Sequence, residues 1–412
     1  MLIATSLLIL FLGEEVWTSR WQPGMLAITH LFTLGFMSMV MMGALYQFLP
    51  VIGGVGIVNA NRVANVSHGL HTIGTLALVL NFIMPTTLLL MIAISTLGLG
   101  FLYYIYSVAR VLIKKLSQGD TIVGIRIALL SLLLVVVLGL LILIQNSSNA
   151  FSRLSFLADK NYTDIHALFG GFGWGGLLIF AVSLQVIPMF HVTPNFPKLL
   201  ARWLPAVAIV LLLLLFVITP NSVVGSVLIG MILVLLTFYN LVILKLFRQR
   251  KRKVTDTSVQ FWQFSASSFF LLVCLYFLPD TVFDSVFSGK KSLLFGAVFV
   301  YFYLVSIIEA MLLKITSFLP YTHLQNLCMT NFSAMAHLPH MHELLLKKHG
   351  RWLFYGHLLS CIALVVTLAD SAFYWLFGMA MLIEFTGLLA LMLRSLYLYK
   401  QCLNKIEANS TV

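Results

Sequence analysis

Long apolar runs separated by short polar or charged stretches set the pattern of this chain. In order they fall at roughly 1–13, 24–50, 66–84, 86–109, 122–144, 164–190, 201–219, 222–247, 259–278, 291–317, 352–370 and 372–398. Most reach the ~20 residues that a helix needs to cross ~30 Å of hydrocarbon. The pattern therefore predicts an all-α polytopic protein with about twelve membrane spans. The first run is short, but no Lys or Arg precedes it, and Glu14 and Glu15 stand where a cleaved signal peptide would carry small residues. It reads as a span. Pro85 parts the third and fourth runs and requires a tight turn there. No long polar linker interrupts the series, which predicts a single membrane domain over residues 1–412. The longest connection, 318–350, is too apolar for a solvated loop and reads as an interfacial loop or helix on the cytoplasmic side.

Composition excludes a soluble globule: 60% of residues are hydrophobic and 9% charged, with a mean hydropathy of +1.01. Charge placement orients the spans. With both termini cytoplasmic, 20 of the 25 Lys and Arg residues fall on the cytoplasmic side, leaving Arg20, Arg153, Lys160, Lys290 and Lys291 outside. The densest cluster is Arg248, Arg250, Lys251, Arg252 and Lys253. A net charge of +12 spread in this way suits the anionic inner leaflet of a lipid bilayer and not a nucleic acid. Cys274, Cys328, Cys361 and Cys402 form no CxxC pair and carry no functional signal.

Two spans share one design. Residues 29–50, THLFTLGFMSMVMMGALYQFLP, and 164–188, DIHALFGGFGWGGLLIFAVSLQVIP, each place a histidine near the start, glycines along the helix, and a glutamine three residues before a closing proline. Span ten, SLLFGAVFVYFYLVSIIEAMLLKITSFLP, shares the early glycine and the closing Leu-Pro but has no histidine. Recurrence at every fourth span suggests a pseudo-threefold set of four-helix units. An intramembrane imidazole is costly unless paired or ligated, so His30 and His166 mark a candidate site. At 100° per residue, His30 shares a face with Thr33, Leu34, Met37 and Met41, while Gly35, Met39, Gly43 and Tyr46 lie opposite. His166 shares its face with Phe169, Gly170 and Gly173, a bare strip suited to a flat ligand such as heme or to a neighbouring helix.

A second group lies toward the cytoplasmic side: His71, with His68 one turn before it, and His357 inside span eleven. A ~30 Å core keeps this group from sharing ligands with His30 and His166, so two sites are expected. His337, His340 and His342 form HxxHxH in the long connection, a spacing that can hold zinc or copper and equally fits an interfacial helix. Glu309 and Glu384 are the only acids well inside spans and suggest a proton path; Glu384 has no basic residue near it in sequence and reads as neutral or proton-carrying.

The motifs THLFTLGFMSMVMMGALYQFLPV, IHALFGGFGWGGLLIFAVSLQVIPMF and FLPYTHLQ with LPHMHELL resemble bacterial inner-membrane proteins similar to subunit I of heme-copper oxidases and nitric oxide reductases. The resemblance implies twelve spans, cytoplasmic termini and three four-helix arcs. It matches His30 to the span-two axial ligand of a low-spin heme, and His166 to the span-six ligand of copper or non-heme iron. The chain departs from that family where it needs a histidine pair on span seven and two histidines on span ten; neither is present. Oxygen or nitric oxide reduction by the family's mechanism is therefore not expected.

What remains is heme or copper held by His30 and His166, aided by the thioethers of Met37 or Met41. Such a protein would serve electron transfer, sensing, or metal and heme handling. A permease moving a metal ion, proton or small solute fits the same residues as stations on a pathway, and so does a non-catalytic assembly partner for respiratory-complex subunits.

Overall fold

The computed structural model describes all residues except 55, 115–118, 148–159, 252, 254–255, 288, 331 and 411–412. Arg153 and Arg252 thus lie outside the described residues. Regular structure among the described residues is entirely helical. The helices that follow the expected spans are α1 Leu2–Leu12, α2 Pro23–Ile52, α3 Ala60–Ile83, α4 Thr87–Ile113, α5 Asp120–Gln145 and α6 Lys160–His191, then α7 Lys198–Leu214, α8 Val223–Gln249, α9 Thr257–Phe277, α10 Lys291–Met329, α11 Lys347–Ala369 and α12 Ser371–Ala408. Ten helices are long and apolar enough to cross a membrane. The protein is an all-α, multi-pass membrane protein.

Two expected spans come out short. At 1.5 Å per residue, the 11 residues of α1 and the 17 of α7 reach less far than ~30 Å of hydrocarbon. In the 318–350 stretch, α10 continues as helix to Met329, well past the expected end of span ten, before a short helix at Met341–Leu344 leads into α11.

The described chain divides into two compact units, one of Met1, Ser19–Arg252 and Phe269–Leu278, the other of Leu2–Thr18, Lys253–Ser268 and Pro279–Val412. In the first, α3 packs on α4 and α5 on α6. Gly74 makes the α3–α4 approach possible, since a Cβ there would lie 2.6 Å from Thr96 Oγ1; small residues at crossings are how membrane helices come close. In the second, α11 packs on α12, and α1 also lies along α12, where Trp17 meets Phe377 edge-on.

α2, α6 and α10 are not uniform α-helices. Each contains an eight-residue π segment: Leu31–Ser38, Phe169–Gly176 and Val298–Val305. π turns are rare and concentrate at functional positions, because their i→i+5 bonds leave the backbone wider and re-aim the side chains that follow. These are the three helices that share the spacing of four spans, including the one whose sequence likeness is weakest.

Candidate functional site

A buried polar cluster lies within the second unit, on α10, α11 and α12. Glu309 and His357 are fully buried and Glu384 is 2% exposed. His357 Nδ1 stands 2.7 Å from Glu384 Oε1 and 3.8 Å from Glu309 Oε1. Ligand-type atoms of the three residues all fall within 4.8 Å of one another, so this buried Glu–His–Glu group could bind a metal ion. Among the described residues, it is the group of three His, Cys, Asp or Glu side chains with such spacing.

The surroundings hold these side chains in place. Tyr301, in the π segment of α10, donates its hydroxyl to Glu384 Oε2 at 2.6 Å and stacks on the His357 ring with centroids 5.2 Å apart. On the other edge of the imidazole, Nε2 is 2.7 Å from Ser306 Oγ and 3.6 Å from Cys361 Sγ. Phe261 and Phe264 of α9 pack against the His357 ring. Such an apolar lining excludes water and lowers the local dielectric, so an uncompensated charge is expensive. Neither oxygen of Glu309 has a hydrogen-bond partner. Lys314, the cation nearest to Glu309 in sequence, is engaged by Asp256. Among the described residues, His357 is the basic side chain within 4.0 Å of Glu309 and Glu384.

His30 and His166 meet in the first unit, with ring centroids 6.4 Å apart. Each Nδ1–H donates to a backbone carbonyl, His30 to Leu26 O at 2.8 Å and His166 to Val135 O at 3.0 Å. That fixes the tautomer and leaves the Nε2 lone pairs for a ligand. The resemblance assigns these residues to two separate metal centres; in the structure their rings lie side by side.

The bare strip beside His166 is not open. A Cβ at Gly173 would lie 2.8 Å from Ser131 Cβ, and one at Gly170 would lie 3.4 Å from Val135 Cγ2, because α5 occupies the strip. Gly139 of α5 sits against the ring itself, where a Cβ would be 2.7 Å from His166 Cε1. Gly173 and Gly139 serve close helix contact with α5 and His166, while Gly170 meets Val135 at ordinary contact distance. Met37 and Met41 are buried, but their expected alignment with His30 assumed 100° per residue throughout. Met37 lies inside the π segment and Met41 just past it, so that register is not kept.

His71 also serves structure. Its Nε2–H donates to Leu34 O in the π segment of α2 at 2.9 Å, and its ring meets Phe101 edge-on. It lines a groove of about 220 Å³ together with Met39, Met42, Tyr46 and His68. His71 and His357, grouped by their expected depth, belong to different units. His337, His340 and His342 are exposed and do not converge as a ligand set of three.

Sequence reasoning missed Tyr301, Ser306 and Cys361. A signal for two of them exists: Cys361 lies four residues after His357, and Ser306 three residues before Glu309, one helical turn in each case. No protein-family model matches the chain, and no curated protein matches it significantly; the likeness to heme-copper oxidase subunit I rests on the quoted motifs.

Proposed function

We propose that this protein is a permease-type membrane protein that binds and passes a cation, a metal ion or a proton, at the Glu309–His357–Glu384 centre. It would sit in a bacterial inner membrane with cytoplasmic termini, as its charge pattern favours. The observation that carries the reading is the pairing of two buried carboxylates, on different helices, with one imidazole and no Lys or Arg. Two such carboxylates repel when both are ionised, and burial multiplies the repulsion. A mobile cation resolves that charge, and ionisable groups at membrane depth are the usual stations of ion and proton pathways. The π segment of α10 supplies a place to bend: a change in its turns would part Tyr301 from Glu384 and alter the centre.

Reconstitution in proteoliposomes with internal pH- and metal-sensitive dyes tests this. Glu309→Gln and Glu384→Gln, each nearly isosteric, are expected to lower cation flux at least about tenfold, the scale for losing ~1.4 kcal/mol of stabilisation of the bound ion. His30→Ala leaves flux unchanged. Wild-type flux in both glutamine variants would refute the proposal.

A second reading is favoured by the 6.4 Å separation of His30 and His166. With Nδ1 of each ring on a carbonyl, their Nε2 atoms are left to bind a copper ion, which when bound would supply one-electron chemistry. The two histidines would hold the ion and the Leu26 and Val135 carbonyls would hold the histidines.

A further inference from the structure

We infer that the cation taken at the Glu309–His357–Glu384 centre is a divalent transition-metal ion of the zinc, manganese or iron type, bound by one imidazole nitrogen and two carboxylates. This rests on the cation-binding reading and adds the class of ion.

The argument is an account of donors. Ser306 Oγ donates its only hydrogen to Phe302 O at 2.6 Å. It can therefore only accept from His357, which puts the imidazole hydrogen on Nε2. In the neutral ring Nδ1 is then a lone pair. That lone pair faces Glu384 Oε1, and Glu309 Oε1 lies 3.8 Å away. Glu384 Oε2 is already held by Tyr301. The nitrogen and the carboxylate oxygens thus converge, a single hydrogen bridging His357 Nδ1 and Glu384 Oε1 at 2.7 Å where a metal ion could replace it, and both oxygens of Glu309 are buried without a hydrogen-bond partner among the described residues. An orphaned buried carboxylate in an otherwise satisfied cluster has room for an ion as its partner.

Charge and ligand type select the ion. Two ionised carboxylates beside a neutral imidazole need two positive charges; two protons supply them, and so does one divalent ion, which also takes up the imidazole lone pair. One nitrogen with carboxylate oxygens suits borderline divalent metals; calcium and magnesium demand about six oxygens, and soft Cu(I) prefers sulfur. Cys361 Sγ sits at Nε2, on the edge of the ring away from the ligand face, and is not a ligand. Ligands at about 2.1 Å from one ion lie at most about 4.2 Å apart, so the group needs to close by less than about 1 Å from its present spacing. Tyr301 and Ser306 are positioning residues: each grips the atom of a ligand that faces away from the ion, the arrangement found around protein-bound metals.

Detergent-purified full-length protein, stripped with chelator and titrated with Co²⁺, provides the test. Wild type is expected to bind one Co²⁺ per chain at this centre with a visible d–d band and no sulfur charge-transfer band. Glu309→Gln loses the band, Tyr301→Phe binds about 10- to 100-fold more weakly, and Cys361→Ser binds as wild type. Thermal unfolding of each variant confirms that it is folded. Equal Co²⁺ binding in wild type, Glu309→Gln and Glu384→Gln would overturn the inference by placing the ion elsewhere. No Co²⁺ binding, with proton flux that still requires Glu309, would overturn the metal and leave the cation reading standing. No binding and no dependence of any flux on Glu309 would remove both.

Discussion

Gly139 has no side chain where His166 needs room. A Cβ there would lie 2.7 Å from His166 Cε1, and the ring cannot simply swing aside while its Nδ1 is held by Val135 on the same helix. Gly139→Ala is therefore expected to displace the imidazole and destabilise the protein by about 1–3 kcal/mol, the usual cost of overfilling a close contact. Gly43→Ala is the control, because nothing lies within 4 Å of its added methyl. Thermal unfolding in detergent should separate the two. At this scale the sequence marks Glu309, Glu384 and His357 individually, since ionisable groups inside spans stand out against apolar neighbours. Their meeting is not legible: Glu384 finds its imidazole 27 residues away on another helix, and no periodicity within one helix reports a contact between two.

At the scale of elements, the apolar runs locate the helices because a span must satisfy its own backbone. They do not reveal the π segments of α2, α6 and α10, whose residues look like any other apolar stretch. The shared face expected for His30, Met37 and Met41 assumes 100° per residue, which the π segment Leu31–Ser38 does not keep, while the helix itself is where the run places it. The π segment of α10 carries a prediction of its own. Removing one residue, Val300, lets i→i+5 bonds revert to i→i+4. The helix should survive, but Tyr301 should lose Glu384, and cation flux should fall to the level of Glu309→Gln. A single deletion within the regular helix α8 rotates every later side chain by ~100° and should lower the melting temperature more. Comparing melting temperature and flux in the two deletions checks whether the π geometry serves the centre or only the fold.

For the whole molecule, composition alone requires a membrane protein, and ten helices able to span one follow from it. The proposed function does not follow from the histidine motifs that dominate the sequence. Those motifs build a close pair of histidines and a helix seam in the first unit, whereas the buried Glu309–His357–Glu384 group lies in the second. The central claim is that Glu309 and Glu384 share an exchangeable cation. Infrared difference spectroscopy on the reconstituted protein reads carboxyl groups directly. The claim predicts carboxyl bands that change when pH is raised or a divalent metal is added, and that are lost or altered in both Glu309→Gln and Glu384→Gln. Difference spectra of wild type and both variants that are identical under all these conditions would contradict it.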